Sequence, residues 1–265
     1  MHRMEEINRR TWSNPLARRD YRSSTGFINE GERVVFEIAR NRGAGARILD
    51  IGIGGGRTTG LFQPVAADYV GIDYTPEMVA LAQRNYPSAQ LEHMDARDLS
   101  RFAKSSFDIV VFSYNGIDSV DADGRKAILG EVSRVLMAGG TFVFSTFNRN
   151  WHGFGEKRAR SSIVWSNDPL KLGFRLVKHA VGLVRERRFA PLEQRDGEHA
   201  ILLHRAHDFG IMVYATTPEQ LRSQLGESGF DSDPMLFSVD GQLLRGETLP
   251  DEEYFHVVAY KPALS

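Results

Sequence analysis

Three carboxylates and a cluster of glycines are the residues of this chain best suited to hold a small ligand. Gly52, Gly54 and Gly56 follow the apolar run Ile48 to Ile51, with Asp50 inside it. Glycine lacks a Cβ, so it adopts positive φ and lets a ligand approach the backbone closely. Asp73 closes a second apolar run, Tyr69 to Asp73, and lies 21 positions after Gly52. A carboxylate about 20 residues past a glycine turn, at the tip of the next strand, can accept both hydroxyls of a ribose. A third run, Gln90 to Met94, ends at Asp95. Together they suggest a site for a nucleotide-like cofactor. For proton removal from a bound substrate the candidates are His204 and His207, three positions apart. Asn115, Asp118 and Tyr214 are candidate pocket walls, Asp118 and Tyr214 on the substrate side. The His-x-x-His pair lacks the further ligands a metal needs, so no metal site is expected.

A dinucleotide fingerprint requires glycine at the third place of Gly-x-Gly-x-x-Gly. Counting from Gly52, that place is Arg57. The shorter pattern, with Asp50 at the strand end, resembles motif I of class I S-adenosylmethionine (SAM) dependent methyltransferases. The phrase Gly71-Ile72-Asp73-Tyr74-Thr75-Pro76-Glu77-Met78 resembles the strand-2 to helix transition of the same family. The resemblance implies that SAM is the cofactor. It implies that the loop of Asp50, Gly52, Gly54, Gly56 and Arg57 passes under its amino-acid moiety and ribose. It further implies that Asp73 binds the ribose, that Tyr74 and Met78 flank the adenine, and that Asp95, beside Ala96, accepts from the adenine amino group. Ser113 and Asn115, after the fourth strand, would lie beside the sulfonium.

These residues need a scaffold that brings separated segments to one rim. Short apolar runs at 47–51, 69–73, 90–94, 107–113 and 141–147 alternate with helical stretches. Strands buried on both faces lose polar alternation, as Ile109 to Phe112 does. The spacing predicts an α/β fold with a parallel sheet wound by right-handed crossovers and ligands at the carboxyl ends of the strands. Further strands are expected at 211–214, 235–239 and 254–260. Thr217-Pro218-Glu219-Gln220 reads as a capping box opening a helix. The resemblance adds a Rossmann-like seven-stranded sheet in the order 3-2-1-4-5-7-6, its last strand antiparallel, with helices on both faces. The expected segments are an N-terminal helical lead-in and lid over 1–45, with Tyr21 a cofactor-contact candidate. A core over 46–148, an inserted lid over 149–210 and the rest of the core over 211–265 complete the division.

With 42% hydrophobic and 25% charged residues and a net charge of −1, the chain has an ordinary globular composition. It has no cysteine, which excludes disulfides, thiolate metal sites and cysteine nucleophiles. Met1 to Arg10 is charged without an apolar signal core, and no apolar stretch approaches the ~18 residues of a membrane span, so a cytoplasmic location is expected. From Lys157 to Arg188 there are nine Lys or Arg against Asp168 and Glu186. Residues 169–188 read as a basic amphipathic helix. It suits a lid, an anionic acceptor or peripheral contact with an anionic membrane.

The expected activity is in-line methyl transfer to an O or N atom of a small molecule such as a sugar, a natural-product intermediate or another metabolite. A nucleic-acid methyltransferase is disfavoured. Ser113-Tyr114-Asn115-Gly116 replaces the Asn/Asp-Pro-Pro-aromatic turn of base-amine enzymes, and no RNA-binding motif is present. A non-catalytic SAM-binding module would keep the same glycines.

Overall fold

The computed structural model describes residues 3–14, 27–42, 45–154, 165, 167–197, 199–245 and 251–263. Tyr21 lies outside them. The helices are α1 (Arg3–Trp12), α2 (Glu30–Arg42), α3 (Thr59–Phe62), α4 (Pro76–Asn85), α5 (Ala122–Val135), α6 (Pro169–Phe189) and α7 (Pro218–Glu227). The core strands are β1 (Arg47–Ile51), β2 (Asp68–Asp73), β3 (Gln90–His93), β4 (Phe107–Phe112) and β5 (Leu136–Asn148). Then come β6 (Gln194–Arg195), β7 (Ala200–His204), β8 (Ile211–Thr216), β9 (Met235–Phe237), β10 (Leu243–Leu244) and β11 (Tyr254–Tyr260).

The main path of the sheet runs β10-β9-β11-β5-β4-β1-β2-β3. Without the two-residue β10, this is the expected order, with β11 in seventh-strand position. β1 to β5 are mutually parallel. β11 enters antiparallel to β5 along Thr141 to Phe147, and antiparallel to β9. β6, β7 and β8 form a branch. β7 and β8 are an antiparallel pair, joined to β5 only through Phe147–Ala215 and Asn148–Thr216. The strand expected at 211–214 is therefore half of a hairpin that crosses the boundary expected at 210. β5 also begins earlier than 141. Gly139, at φ +77°, lets the chain turn within the strand after α5 ends at Val135.

Both faces of the sheet are covered. Ile128, Leu129, Val132 and Val135 of α5 and Leu221 and Leu225 of α7 pack on one face with Leu49, Val110, Phe142 and Val257. Val35, Phe36 and Ala39 of α2, with Phe62, Val79 and Ala82, cover the other with Ile48, Ile109 and Val143. The N-termini follow sequence rules. Thr217 and Gln220 exchange both bonds of a capping box. Asp121 accepts from Gly124 N at 2.9 Å, and Asp168 caps α6 through Leu170 N and Lys171 N. Thr75 occupies the cap position of α4, but its side chain makes no cap bond.

α1 does not pack on the main sheet. Its Met4 joins Ile201, Leu203, Met212 and Tyr214 on one face of the β7–β8 hairpin. Buried Asn8 accepts from Met212 N and donates to Met212 O, both at 2.8 Å, and to Ser119 O at 3.1 Å. Its side chain thus continues the edge pairing of β8.

Candidate cofactor and acceptor site

The glycine loop leaves β1 with Gly52, Gly54 and Gly56 at φ +68°, +54° and +94°. Side chains with a Cβ rarely adopt this region, so the loop geometry requires these residues. The loop is tied to the tip of β2. Gly52 N donates to Ile72 O at 2.8 Å, and Gly54 N donates to Asp73 Oδ2 at 3.0 Å. Asp73 Oδ1 accepts from Thr75 N at 2.8 Å, and burial pushes its pKa up. Met94 N donates to Asp73 O and His93 Nε2 to Tyr74 O, which sets the loop bearing Asp95 beside that of Asp73.

Asp50 is fully buried beneath the loop. Its Oδ2 accepts from Thr58 Oγ1 at 2.6 Å and Tyr69 Oη at 2.7 Å, while Oδ1 has no partner. Burial raises its pKa to about 6, against the lowering effect of those two hydroxyls. Arg57 pairs with buried Glu32 through two bonds, at 2.7 and 2.6 Å, and donates to Ser113 Oγ at 2.9 Å. Burial works to lower the Arg57 pKa, but Glu32 more than offsets it.

α2 reaches this cluster because Gly31 admits close contact: a Cβ there would sit 2.0 Å from Ser238 O. Asn29, just before the helix, accepts from Glu32 N and from His256 Nε2 and donates to Tyr254 Oη. Desolvation, with Arg57 nearby, pulls the His256 pKa down to about 4.

After β4, Tyr114 and Asn115 both take left-handed backbone, at φ +54° and +56°. Such strain in non-glycine residues concentrates at functional sites. Asn115 is buried, its N–H donates to Ser145 Oγ at 2.8 Å, and its Oδ1 has no hydrogen-bond partner. Tyr114 is exposed beside the Arg57 guanidinium.

On the far side of the rim, Asp95 is held by Arg97, whose Nη2 lies 2.7 Å from Oδ2 and whose Nη1 reaches Glu5 of α1 at 2.8 Å. Burial alone would raise the Asp95 pKa; the Arg97 bonds bring it below the usual value. Trp12 meets Tyr74 edge-on with centroids 5.9 Å apart, and Arg9 sits over the same ring. Met78, on the first turn of α4, and Ala96, which follows Asp95, are buried.

Beyond β5, Phe147, Trp151, Phe154 and Tyr254 form an aromatic wall around His204. His204 Nδ1 accepts from Ala206 N at 3.1 Å, so Nε2 carries the proton and donates to Glu253. Burial works to raise the Glu253 pKa; the His204 bond together with the nearby His204 and Arg205 charges outweighs it, and the net shift is down. With both ring nitrogens engaged, His204 has no lone pair to offer a substrate. His207, partly exposed, heads a left-handed run of His207, Asp208 and Phe209, at φ +53°, +56° and +56°.

Two residues expected to face substrate lie inside the protein. Asp118 is 0% exposed. It pairs with buried Arg125 and accepts from Thr146 Oγ1 and Phe147 N. Tyr214 is 2% exposed, its ring 4.8 Å from Arg125 Cζ and its hydroxyl accepting from Gln224 Nε2. Glu32, Glu253 and the aromatic wall were not singled out from sequence. No local pattern joins Glu32 to Arg57, or His204 to Glu253 49 positions away.

Residues 48–140 match the family described as "Methyltransferase domain". A ubiquinone biosynthesis O-methyltransferase of Bradyrhizobium sp. (strain ORS 278) is 34% identical over 120 residues, 42% of this chain and 44% of that protein. A demethylmenaquinone methyltransferase of Clavibacter sepedonicus is 30% identical over 135 residues, 48% of this chain and 54% of that protein. The chain thus spans about half the length of the curated relatives it matches. Among solved structures, a SAM-dependent methyltransferase from Methanosarcina mazei superposes with a TM-score of 0.56 at 23% identity, covering 86% of this chain and 98% of that one. A SAM-dependent methyltransferase from Clostridium acetobutylicum gives 0.58 at 15% identity, covering 88% and 92%. Residues 48–140 thus carry a methyltransferase domain, and the glycine loop and sheet order give the chain the fold of the solved SAM-dependent methyltransferases on which it superposes.

Proposed function

We propose that the protein transfers a methyl group from SAM to an O or N atom of a small molecule. The observation that carries this reading is the bond from Gly54 N to Asp73 Oδ2, which ties the motif I loop to the carboxylate suited to a ribose. The residues present fit the cofactor. The loop offers backbone free of side chains at Gly52, Gly54 and Gly56, Asp73 offers a carboxylate to the ribose, and the orphaned Asn115 Oδ1 suits a ligand with an ammonium donor. Tyr74, Met78, Asp95 and Ala96 supply the corner for the purine. Bound SAM supplies an electrophilic methyl group on a sulfonium.

The protein's own part is alignment and exclusion of water. Orientation of two reactants can account for up to about 7–11 kcal/mol of barrier reduction. The aromatic wall of Phe147, Trp151, Phe154 and Tyr254 suits a ring-bearing acceptor. The relatives named for ubiquinone and demethylmenaquinone methylation favour the same class. His204, donating to Glu253, positions that wall.

Calorimetry with SAM and with NAD tests the cofactor: tight NAD binding without SAM binding would defeat the proposal. Asp73→Ala should weaken SAM affinity by roughly 30-fold or more, the loss of hydrogen bonds to a charged acceptor, with circular dichroism unchanged. Unaltered affinity would remove Asp73 from the site. Screening small ring-bearing acceptors with SAM, reading S-adenosylhomocysteine, then tests turnover.

A further inference from the structure

We infer that the outer face of α6 docks on an anionic lipid membrane. Leu170, Phe174, Val177, Val181 and Val184 follow one another at helical spacing and form a single stripe along this 21-residue helix. They are 85%, 57%, 62%, 40% and 64% exposed. The attachment runs along the neighbouring side of the helix, about a quarter turn from the stripe. Gly182 is buried there, and a Cβ added to it would lie 3.7 Å from Asp208 Cβ and the Phe209 ring. Arg185 Nη1 donates to His207 O at 2.8 Å, and Lys178 Nζ lies 3.5 Å from Asp208 Oδ2. These contacts fix the rotation of α6, and with it the outward aim of the stripe.

An apolar row of this length on a single surface helix marks an interaction site. Its charge chooses the partner. α6 carries six Lys and Arg against Glu186 alone, in a chain whose net charge is −1. Lys171, Arg187 and Arg188 are exposed around the stripe. A helix with a polar face rich in Lys and Arg and an apolar face of Phe, Leu and Val lies in the membrane interface, its apolar side at the acyl boundary. Anionic headgroups attract each basic residue held near the surface. A second copy of the same face would bring like charges together, which disfavours self-association through it. Exposed Trp165, whose carbonyl accepts from Arg175 Nη1 at 3.1 Å, places an indole at the start of the helix, and such amphipathic rings favour the headgroup level. No described helix is long and apolar enough to cross a membrane, so the contact is peripheral. The inference does not depend on methyl transfer.

The test is co-sedimentation of the full chain with vesicles of phosphatidylcholine and with vesicles of equimolar phosphatidylcholine and phosphatidylglycerol. Binding should be confined to the mixed vesicles and weaken as salt is raised. The double variant V177D/V181D should lower partitioning by roughly tenfold or more, from the loss of two apolar side chains at the interface. The double variant K171E/R187E should lower it with the stripe intact. Circular dichroism and SAM binding report that both variants remain folded. Failure of the native protein to bind mixed vesicles, equal binding to both compositions, or undiminished binding by V177D/V181D would each overturn the inference. So would sedimentation velocity showing a dimer that V177D/V181D dissolves.

Discussion

Asp50 and His256 both lie within the electrostatic reach of Arg57 and respond to pH in opposite senses. The folded protein holds the Asp50 proton to about pH 6, whereas the unfolded chain releases it near 3.8. Between those values, stability falls as pH rises, and the loss is complete above the folded value. His256 is held near 4 in the folded state against 6.5 unfolded. Across that interval the unfolded chain takes up a proton the folded one refuses, so stability rises with pH. Asp50→Asn removes only the first effect. The variant should be more stable than the parent at neutral pH by on the order of 2–3 kcal/mol. Its stability should also rise more steeply with pH between the two folded values. Urea unfolding across this window measures both, and parallel profiles for the two proteins would refute the Asp50 assignment. At this scale the glycines, Asp50 and Asp73 were legible because they belong to continuous local phrases. Glu32 was not, because nothing near Arg57 in sequence selects it over other carboxylates. Asp118 was misread as substrate-facing for the same reason: its partner Arg125 sits on the next helix, and only the fold brings them together.

The buried Asp118–Arg125 pair joins three elements. Arg125 on α5 also donates to Gln224 of α7 and lies near Thr146 of β5, while Asp118 accepts the β5 amide at Phe147. Arg125→Ala leaves a buried carboxylate without its cation and should destabilise the protein by about 3–5 kcal/mol. Arg125→Met paired with Asp118→Asn should cost clearly less than the alanine change. Equal losses in chemical denaturation would mean the charge pairing is immaterial. Asn8 does comparable work for α1. Its replacement by Ala strips the edge of β8 of two bonds and should cost roughly 1–3 kcal/mol. The amides of α1 and Met212 should then exchange faster than those of β1; uniform exchange would argue against a local role. The periodic helices and the capping box at Thr217 were readable because each is set by residues within a few turns. The β7–β8 hairpin was harder to see. Ile201 to Leu203 and Ile211 to Val213 are apolar without alternation, since α1 covers one face and Phe147 and Phe154 the other.

At the scale of the molecule, α1 spans the two halves of the rim. It is anchored to the hairpin through Asn8 and Thr11 and reaches the corner of Tyr74 and Asp95 through Glu5–Arg97 and Trp12–Tyr74. SAM should therefore slow hydrogen exchange in α1 as well as in the glycine loop. Protection of the loop alone would show that α1 is indifferent to the cofactor. The parallel sheet was foreseeable as a whole because five apolar runs recur at βα spacing. The branch was not, because it hangs from β5 by only two residue pairs. That thin junction gives the architecture a grafting point. The stretch from Arg149 to Thr217 leaves and rejoins the scaffold within one strand width, so a related chain's segment could be spliced there while the donor-binding half stays whole. On the proposed function, a chimera made at those joints should exchange acceptor preference, measured as turnover with each parent's acceptor; unchanged preference would place acceptor choice elsewhere.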